Sequence, residues 1–462
     1  MAEIYPFRGL RYNPSLVGDL SRVVSPPYDV ISKEEAGRLE ALSPYNAVHI
    51  DLPNYPGAGT DISRYEKAGR LFREWVRGGI LQKEPQAAIY AYRQTYKVPG
   101  TNEVRRLLGM VGALRLAAWE EGVVLPHEHT FAKPKADRLN LMRATEANLS
   151  QVYSFYSDPA LTVEKAWEPL LAGRPPAVAV PDGDGNLHEL WPVTEPGALT
   201  VARELIAQVP VFIADGHHRY ETALDYEKER AQKAGSAASP KAQWHTIMMM
   251  LVNLDAGGLT ILPTHRVITC PVLPKAGDEL YQALLQDFEV ERRPEPGAVG
   301  KTVISTQAAA AGEVMTPAQA AAAAWQLSCG EIGLYTRDGG FWLLKRREAQ
   351  KLAAKIPGNS SAACKNLDVT VLHEIIIKQI IGLTEQAPDG QLPIMYTRDA
   401  GEACAAVAAG EASAAFLLPA PMVKDVRDVA LAGDVMPHKS TYFYPKLLTG
   451  LVFSDLNDVL AF

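Results

Sequence analysis

Only four cysteines occur in 462 residues, Cys270, Cys329, Cys364 and Cys404, and no two form a C-x-x-C pair. That spacing excludes a zinc ribbon and signals no disulfide framework. Long apolar runs are missing as well. No stretch reaches the roughly 18 residues that a membrane helix needs, and Met1 to Leu10, with Glu3 and Arg8, lacks the apolar centre of a signal peptide. A cytoplasmic protein with no membrane partner is expected. Charge of one sign is scarce: the formal net charge is −7, and no Lys/Arg block or basic stripe argues for a nucleic-acid partner. Neither a Walker loop nor a Rossmann glycine fingerprint is present.

What the chain does have is the balance of a folded globular protein, 47% hydrophobic and 21% charged. Its length calls for two or three cores. We expect a catalytic α/β region over 1–270 and a C-terminal α/β domain over 271–462. Ser25-Pro26-Pro27-Tyr28-Asp29-Val30-Ile31 reads as a rigid extended loop, because adjacent prolines fix φ and bar a helix. Helical spacing from about Asp61 to Arg77 predicts a helix stopped by Gly78-Gly79. Ala87 to Val98 and Val104 to Leu116 predict a hairpin about Pro99 to Asn102. Leu205 to Ala214 reads as a strand, Tyr220 to Lys233 as a helix and Trp244 to Leu254 as a buried apolar run. Further on, Ile332 to Lys345 predicts a hairpin about Asp338-Gly339-Gly340. Asp368 is the expected cap of a helix to Ile381, and the alanine-rich 306–325 is a helix or an insertion. Tyr-Thr-Arg-Asp at 335–338 and 396–399 reads as two similar strand ends.

Three constellations carry chemistry. In Val211 to Ala223 an apolar strand, a glycine turn and a helix start follow one another. That order presents free N–H groups and the positive end of the helix dipole to an anion. Gly216 permits close backbone approach. His217, His218 and Arg219 supply donors, and Asp215 could hold Mg²⁺ or orient a histidine. The plainer alternative is a capping Asp215 with surface histidines. In Pro126-His127-Glu128-His129-Thr130, with Lys133, Lys135, Asp137 and Arg138 following, Glu128 could serve as a general base. The same segment could instead bind a transition metal through His-x-His, or be a solvated loop. Finally, Gly433 to Lys446 places Lys439 beside Ser440 and Thr441, which suits a phosphate or carboxylate clamp or simply an exposed strand. Pro263-Thr264-His265-Arg266 is a weaker candidate of the same kind.

Taken together, SPPYDVI (Ser25 to Ile31), Pro126 to Thr130 with Asp137-Arg138, ADGHHRYETA (Ala214 to Ala223), PTHR (Pro263 to Arg266) and MPHKSTYFYPK (Met436 to Lys446) resemble an uncharacterised family, domain of unknown function 1015. The run Asp215 to Arg219 is also similar to the D-G-H-H-R box of archaeal free-serine kinases, which share the ParB/sulfiredoxin fold. The resemblance implies a mixed α/β (α+β) fold, with a ParB/sulfiredoxin-like core elaborated by N- and C-terminal α/β segments. It implies phosphoryl transfer from ATP, ADP or pyrophosphate to a small hydroxyl substrate, free L-serine, giving O-phosphoserine. On that reading Glu128, Asp215, His217 and His218 are catalytic, and Gly216, His218 and Arg219 bind phosphate. Asp215 holds Mg²⁺, and His127, Arg138, Lys439, Ser440 and Thr441 bind the substrate. The expected partners are an amino acid and a phosphoryl donor, with a homodimer left open as the assembly. Two other readings compete: a nucleotide-binding switch without turnover, and metal-dependent hydrolysis by His127, His129, His217 and His218.

Overall fold

The structure is a computed structural model, and it describes residues 1–53, 62–235, 239–293, 324, 326–337, 340–383 and 393–460. The chain divides into two compact units, one of Met1–Thr260 with Phe443–Phe462 and one of Ile261–Tyr442. Both mix helices and strands, as the mixed α/β expectation requires. The crossing falls at 260/261 rather than at the expected 270/271, and the last residues return to the first unit. The strand Thr260–Leu262, ahead of residue 270, carries the first crossing.

Among the described residues of the first unit, nine strands form one mixed sheet. Its spatial order is Val124–Leu125, Val211–Asp215, Val152–Tyr156, Thr246–Asn253, Val104–Arg115, Ile89–Lys97, Leu187–Val193 and Val178–Pro181, with Ile4–Tyr5 also on Val104–Arg115. Side-chain alternation gives the sheet two unlike faces. Ile89, Ala91, Met110, Val152, Ile213, Met249 and Leu251 point to an apolar face, packed with Trp167, Ala202, Ile206 and Tyr220 from helices. Tyr90, Tyr92, Gln94 and Tyr96 alternate with those and point to the other face. The register runs from Tyr90 through Val111 and Met250 to Tyr153 and Asp215.

The returning C-terminal segment is tied to that second face. Gln94 Nε2 donates to the Lys446 carbonyl at 3.2 Å, Gln151 Nε2 to the Leu448 carbonyl at 3.2 Å, and Leu448 N to Tyr92 OH at 3.4 Å. Phe443 packs its ring on Phe155 and Tyr153, with centroids 5.9 and 6.0 Å away. The proline-rich loop joins the same segment, with Ser25 and Thr449 exchanging both backbone hydrogen bonds.

Most elements sit where periodicity predicts. The first long helix is Ser63–Arg77, with Asp61 outside the described residues. The hairpin is Ile89–Lys97 against Val104–Arg115, and Trp244 to Leu254 contains the wholly buried strand Thr246–Asn253. Leu205 to Ala214 differs. Leu205 and Ile206 end the helix Pro196–Ile206, because Ala198, Ala202 and Ile206 continue its buried stripe, and the strand begins only at Val211.

The second unit holds a six-stranded antiparallel sheet in the order Phe288–Arg293, Gly340–Arg346, Glu331–Thr336, Ala414–Leu417, His265–Ile268 and Ile394–Thr397. Both Tyr-Thr-Arg-Asp runs lie at strand ends, Glu331–Thr336 and Ile394–Thr397. Asp368 is not a cap but the first residue of the helical turn Asp368–Val371, and its carboxylate accepts from Gly330 N and Arg346 Nη2. The turn continues as a π-helix over Leu372–Ile381. Most of the alanine-rich stretch, and Asp338-Gly339, lie outside the described residues. No described helix is long and apolar enough to cross a membrane.

Candidate active site

Asp215 ends the strand Val211–Asp215, and a β-bulge decides where it points. The register with Val152–Tyr156 shifts between Ile213 and Asp215, so that Asp215 rather than Ala214 stands opposite Tyr153. A bulge of this kind re-aims one side chain. Here it brings the carboxylate to the face covered by the C-terminal segment. Asp215 Oδ2 accepts from Lys446 Nζ at 2.9 Å and lies 4.0 Å from Arg219 Nη2, while Oδ1 accepts from Gly216 N at 2.9 Å. Burial alone would raise the carboxyl's pKa. The Lys446 and Arg219 cations outweigh it and hold the carboxyl well below the usual carboxylate range.

Gly216 follows at φ +94°, and the helix His217–Ala234 starts from it without a side-chain cap. Arg219 folds back over this glycine. A Cβ there would lie 2.9 Å from Arg219 Nε and Nη2, so the turn requires glycine on two counts. Arg219 Nη1 donates to Ser150 Oγ at 3.1 Å and to the Gln151 carbonyl at 2.7 Å. Its Nε is buried with no hydrogen-bond partner. The result is a helix N-terminus with a guanidinium and an ammonium beside it, arranged for an anion.

The Pro126 to Thr130 loop packs against this turn. His127 is buried; its Nδ1 bonds the Ile213 carbonyl at 2.8 Å, and its backbone N donates to His217 Nε2 at 3.2 Å. The two imidazoles meet edge to face at 4.7 Å. Burial lowers the His127 pKa to about 4 and depresses that of His217 well below its ordinary value. Both rings are therefore neutral at pH 7. Because His217 Nε2 accepts, its proton sits on Nδ1, which faces Glu128 Oε2 at 3.9 Å. His218 Nε2 accepts from Phe131 N at 3.0 Å, and the two rings lie nearly parallel. One helical turn on, Glu221 receives Thr130 Oγ1, Lys135 Nζ and Trp119 Nε1, which pins the loop to the helix.

The family model described as "Protein of unknown function (DUF1015)" matches residues 4–370. The chain belongs to the DUF1015 family. Four of its five motifs lie inside that match, and MPHKSTYFYPK lies beyond it. No curated protein matches the sequence. Similar solved structures include a mutant free serine kinase in complex with AMP, with 13% identity, 73% of this chain and 88% of that chain covered, and a TM-score of 0.32. A second mutant free serine kinase, in complex with ADP, shares 12% identity over 73% of this chain and 87% of that one, with a TM-score of 0.31. A conserved hypothetical protein from Pyrococcus furiosus shares 14% identity over 70% and 89%, with a TM-score of 0.29. At that distance these likenesses define neither the site nor the activity.

In this DUF1015 chain the first unit gathers His127, Glu128, Asp215, Gly216, His217, His218 and Arg219. Arg138 is in the same unit but spends its guanidinium on protein. It donates to Asp137, to the Asp51 carbonyl and to the Asp51 carboxylate, and lies 3.9 Å above the Tyr28 ring. Tyr28 thus braces Arg138 from the proline-rich loop. Lys439, Ser440 and Thr441 belong to the second unit. There the Lys439 carbonyl accepts from the buried Arg266 at 3.0 Å, and Ser440 Oγ donates to the Pro437 carbonyl. Lys446, from the same motif, pairs with Asp215 in the candidate site although the residue pattern did not single it out. Its only signal was a lysine after proline in that run.

As a magnesium ligand Asp215 fits poorly. Both of its oxygens are engaged, one by the Lys446 ammonium. Among the described residues no group of three or more His, Cys, Asp or Glu side chains is placed to hold a metal, and His129 is exposed.

Proposed function

We propose that the protein is a phosphotransferase that moves the terminal phosphoryl group of ATP, ADP or pyrophosphate onto the hydroxyl of a small substrate, free L-serine, giving O-phosphoserine. The observation that carries this reading is the approach of Glu128 to His217, 3.9 Å between Oε2 and Nδ1. It supports reading Glu128 as a base beside the proposed anion turn, which a nucleotide switch without turnover does not need.

On this reading the donor's phosphates meet the N-terminus of the helix, Arg219 and Lys446, which neutralise charge as the transition state forms. The serine hydroxyl oxygen attacks the terminal phosphorus. One O–P bond forms while the bridging P–O bond breaks, the leaving phosphate keeps the bonding electron pair, and Glu128 takes the hydroxyl proton. His217 turns Nδ1–H toward the Glu128 carboxylate, 3.9 Å away and beyond direct hydrogen-bond reach, and His218 follows it in the first turn of the helix. Asp215 orients the two cations. The donor would carry Mg²⁺ as the counter-ion of its own phosphates.

Incubation of the protein with Mg²⁺, serine and each donor in turn, followed by phosphorus NMR, tests the proposal. An O-phosphoserine resonance is expected, with Glu128→Gln losing it while keeping the wild-type circular dichroism. No product from any donor across a panel of hydroxyl amino acids would sink it.

A further inference from the structure

The first unit buries a polar chain that takes no part in the chemistry proposed for the anion turn. Tyr92 and His188 stand on the paired strands Ile89–Lys97 and Leu187–Val193, and both are wholly buried. Asp182 Oδ2 accepts from His188 Nε2 at 3.1 Å, and His188 Nδ1 lies 2.7 Å from the Tyr92 hydroxyl. Burial would raise the Asp182 pKa, but the hydrogen bonds from His188 and Asn186 outweigh it and hold the carboxyl below its ordinary value. Burial pushes the Tyr92 hydroxyl far above its ordinary value, so it keeps its proton. With Nε2–H given to the carboxylate, Nδ1 is left to accept from Tyr92. The hydroxyl oxygen in turn accepts from Leu448 N. Asn186 Nδ2 donates to Asp182 Oδ2 at 2.8 Å and to Tyr444 OH at 2.9 Å. Gln94 Nε2, 3.5 Å from His188 Nδ1, donates to the Lys446 carbonyl. Residues 444, 446 and 448 of the returning segment are thus each held by one connected group of side chains.

An apolar filling of this space would cost less desolvation. Hydrogen bonds differ from it in having direction, and a satisfied network fixes where the backbone runs. Lys446 is the middle residue of the three that are held, and its Nζ reaches Asp215 Oδ2 at 2.9 Å. We infer that Asp182, His188 and Tyr92 are positioning residues for Lys446, fixing the segment that carries the lysine so that its ammonium meets the anion turn. The inference rests on the reading of Asp215 to Arg219, with Lys446, as the phosphate site. The three act through the lysine and not on the donor. Asp182 sets the tautomer of His188, His188 holds the Tyr92 hydroxyl, and the hydroxyl holds Leu448, two residues beyond Lys446. Gln151 and Ser25 bind the segment separately, at the Leu448 carbonyl and at Thr449. Loss of the Tyr92 hydroxyl therefore loosens Lys446 without releasing the segment.

Calorimetric titration of the full chain with pyrophosphate tests this in a double-mutant cycle of Tyr92→Phe and Lys446→Met. Tyr92→Phe alone should bind pyrophosphate roughly 2- to 10-fold more weakly, the worth of one hydrogen bond. In the Lys446→Met background the same change should alter affinity by less than about 2-fold. A buried tyrosine that merely packs would weaken both backgrounds alike, and that result overturns the assignment. So does an unweakened Tyr92→Phe, a Lys446→Met protein that binds as tightly as wild type, or a wild type that binds no pyrophosphate. Should Tyr92→Phe fail to fold, His188→Gln taken through the same cycle repeats the test from the other side of the hydrogen bond. The two proposals fail separately. Coupled pyrophosphate affinities without O-phosphoserine formation remove the phosphotransferase reading and leave the positioning role. O-phosphoserine formation with additive affinities does the reverse.

Discussion

His127 sits where an imidazole cannot afford to be charged. It is 1% exposed, its ring touches His217, and its pKa falls to about 4 from the ordinary 6.5. In the unfolded chain the same ring takes a proton below about pH 6.5. Between 6.5 and 4 the unfolded state therefore binds more protons, and stability must decline as the pH is lowered through that window. His127 alone accounts for about 3 kcal/mol of the decline, and His217, shifted in the same direction, adds to it. Urea unfolding at pH 7, 6, 5 and 4 should show the loss, with a flatter profile in His127→Gln. A stability unchanged between pH 7 and 5 would mean that the imidazoles are hydrated. The functional corollary is that His127 shapes the site as a neutral ring and carries no charge to a substrate.

At the level of elements, the strand–turn–helix from Val211 to Ala234 carries most of the site. Its geometry depends on one backbone position. Gly216→Ala places a methyl group on a left-handed residue and 2.9 Å from the Arg219 guanidinium. We expect a loss of roughly 1–3 kcal/mol from the backbone strain, with a larger proportional loss of anion affinity because Arg219 must swing away. Thermal unfolding together with phosphate titration separates the two. A variant with lowered stability and unaltered phosphate affinity would place the anion elsewhere. This element was legible in the sequence because its signals are local: an apolar run, a glycine and a polar helix start within thirteen residues, Val211 to Ala223. The hairpin Ile89–Lys97 with Val104–Arg115 was legible for the same reason. Leu205-Ile206 was not, since a short apolar run satisfies strand and helix equally until its packing partners are known.

For the whole molecule, the decisive contacts are the distant ones. Lys446 reaches Asp215 across 231 positions, and no periodicity announces such a pairing. Nor does any local pattern say that Arg138 will be claimed by Asp51 and Tyr28, or that Lys439 falls in one unit and Lys446 in the other. The returning segment is also structural. It buries Phe443, Leu447, Leu448, Leu451, Val452, Phe453 and Leu456 in the first unit. At roughly 1.5–3 kcal/mol for each such side chain, they contribute on the order of 10–20 kcal/mol, as much as a domain's whole net stability. A chain ended after Tyr442 should therefore fail to fold its first unit. Limited proteolysis would then degrade residues 1–260 and spare the second unit, whereas Lys446→Met should remain resistant throughout. Survival of the first unit in the truncated chain would show that the segment is a covering and not part of its core.

The return of the chain also sets a clock on synthesis. A ribosome adding about 5–20 residues per second delivers Lys446 roughly 10–50 s after Asp215 has emerged. During that interval the second unit is made in full, while the acidic end of the Val211–Asp215 strand waits without its lysine. A nascent chain thus carries Asp215 without its ion-pair partner until the returning segment has left the tunnel.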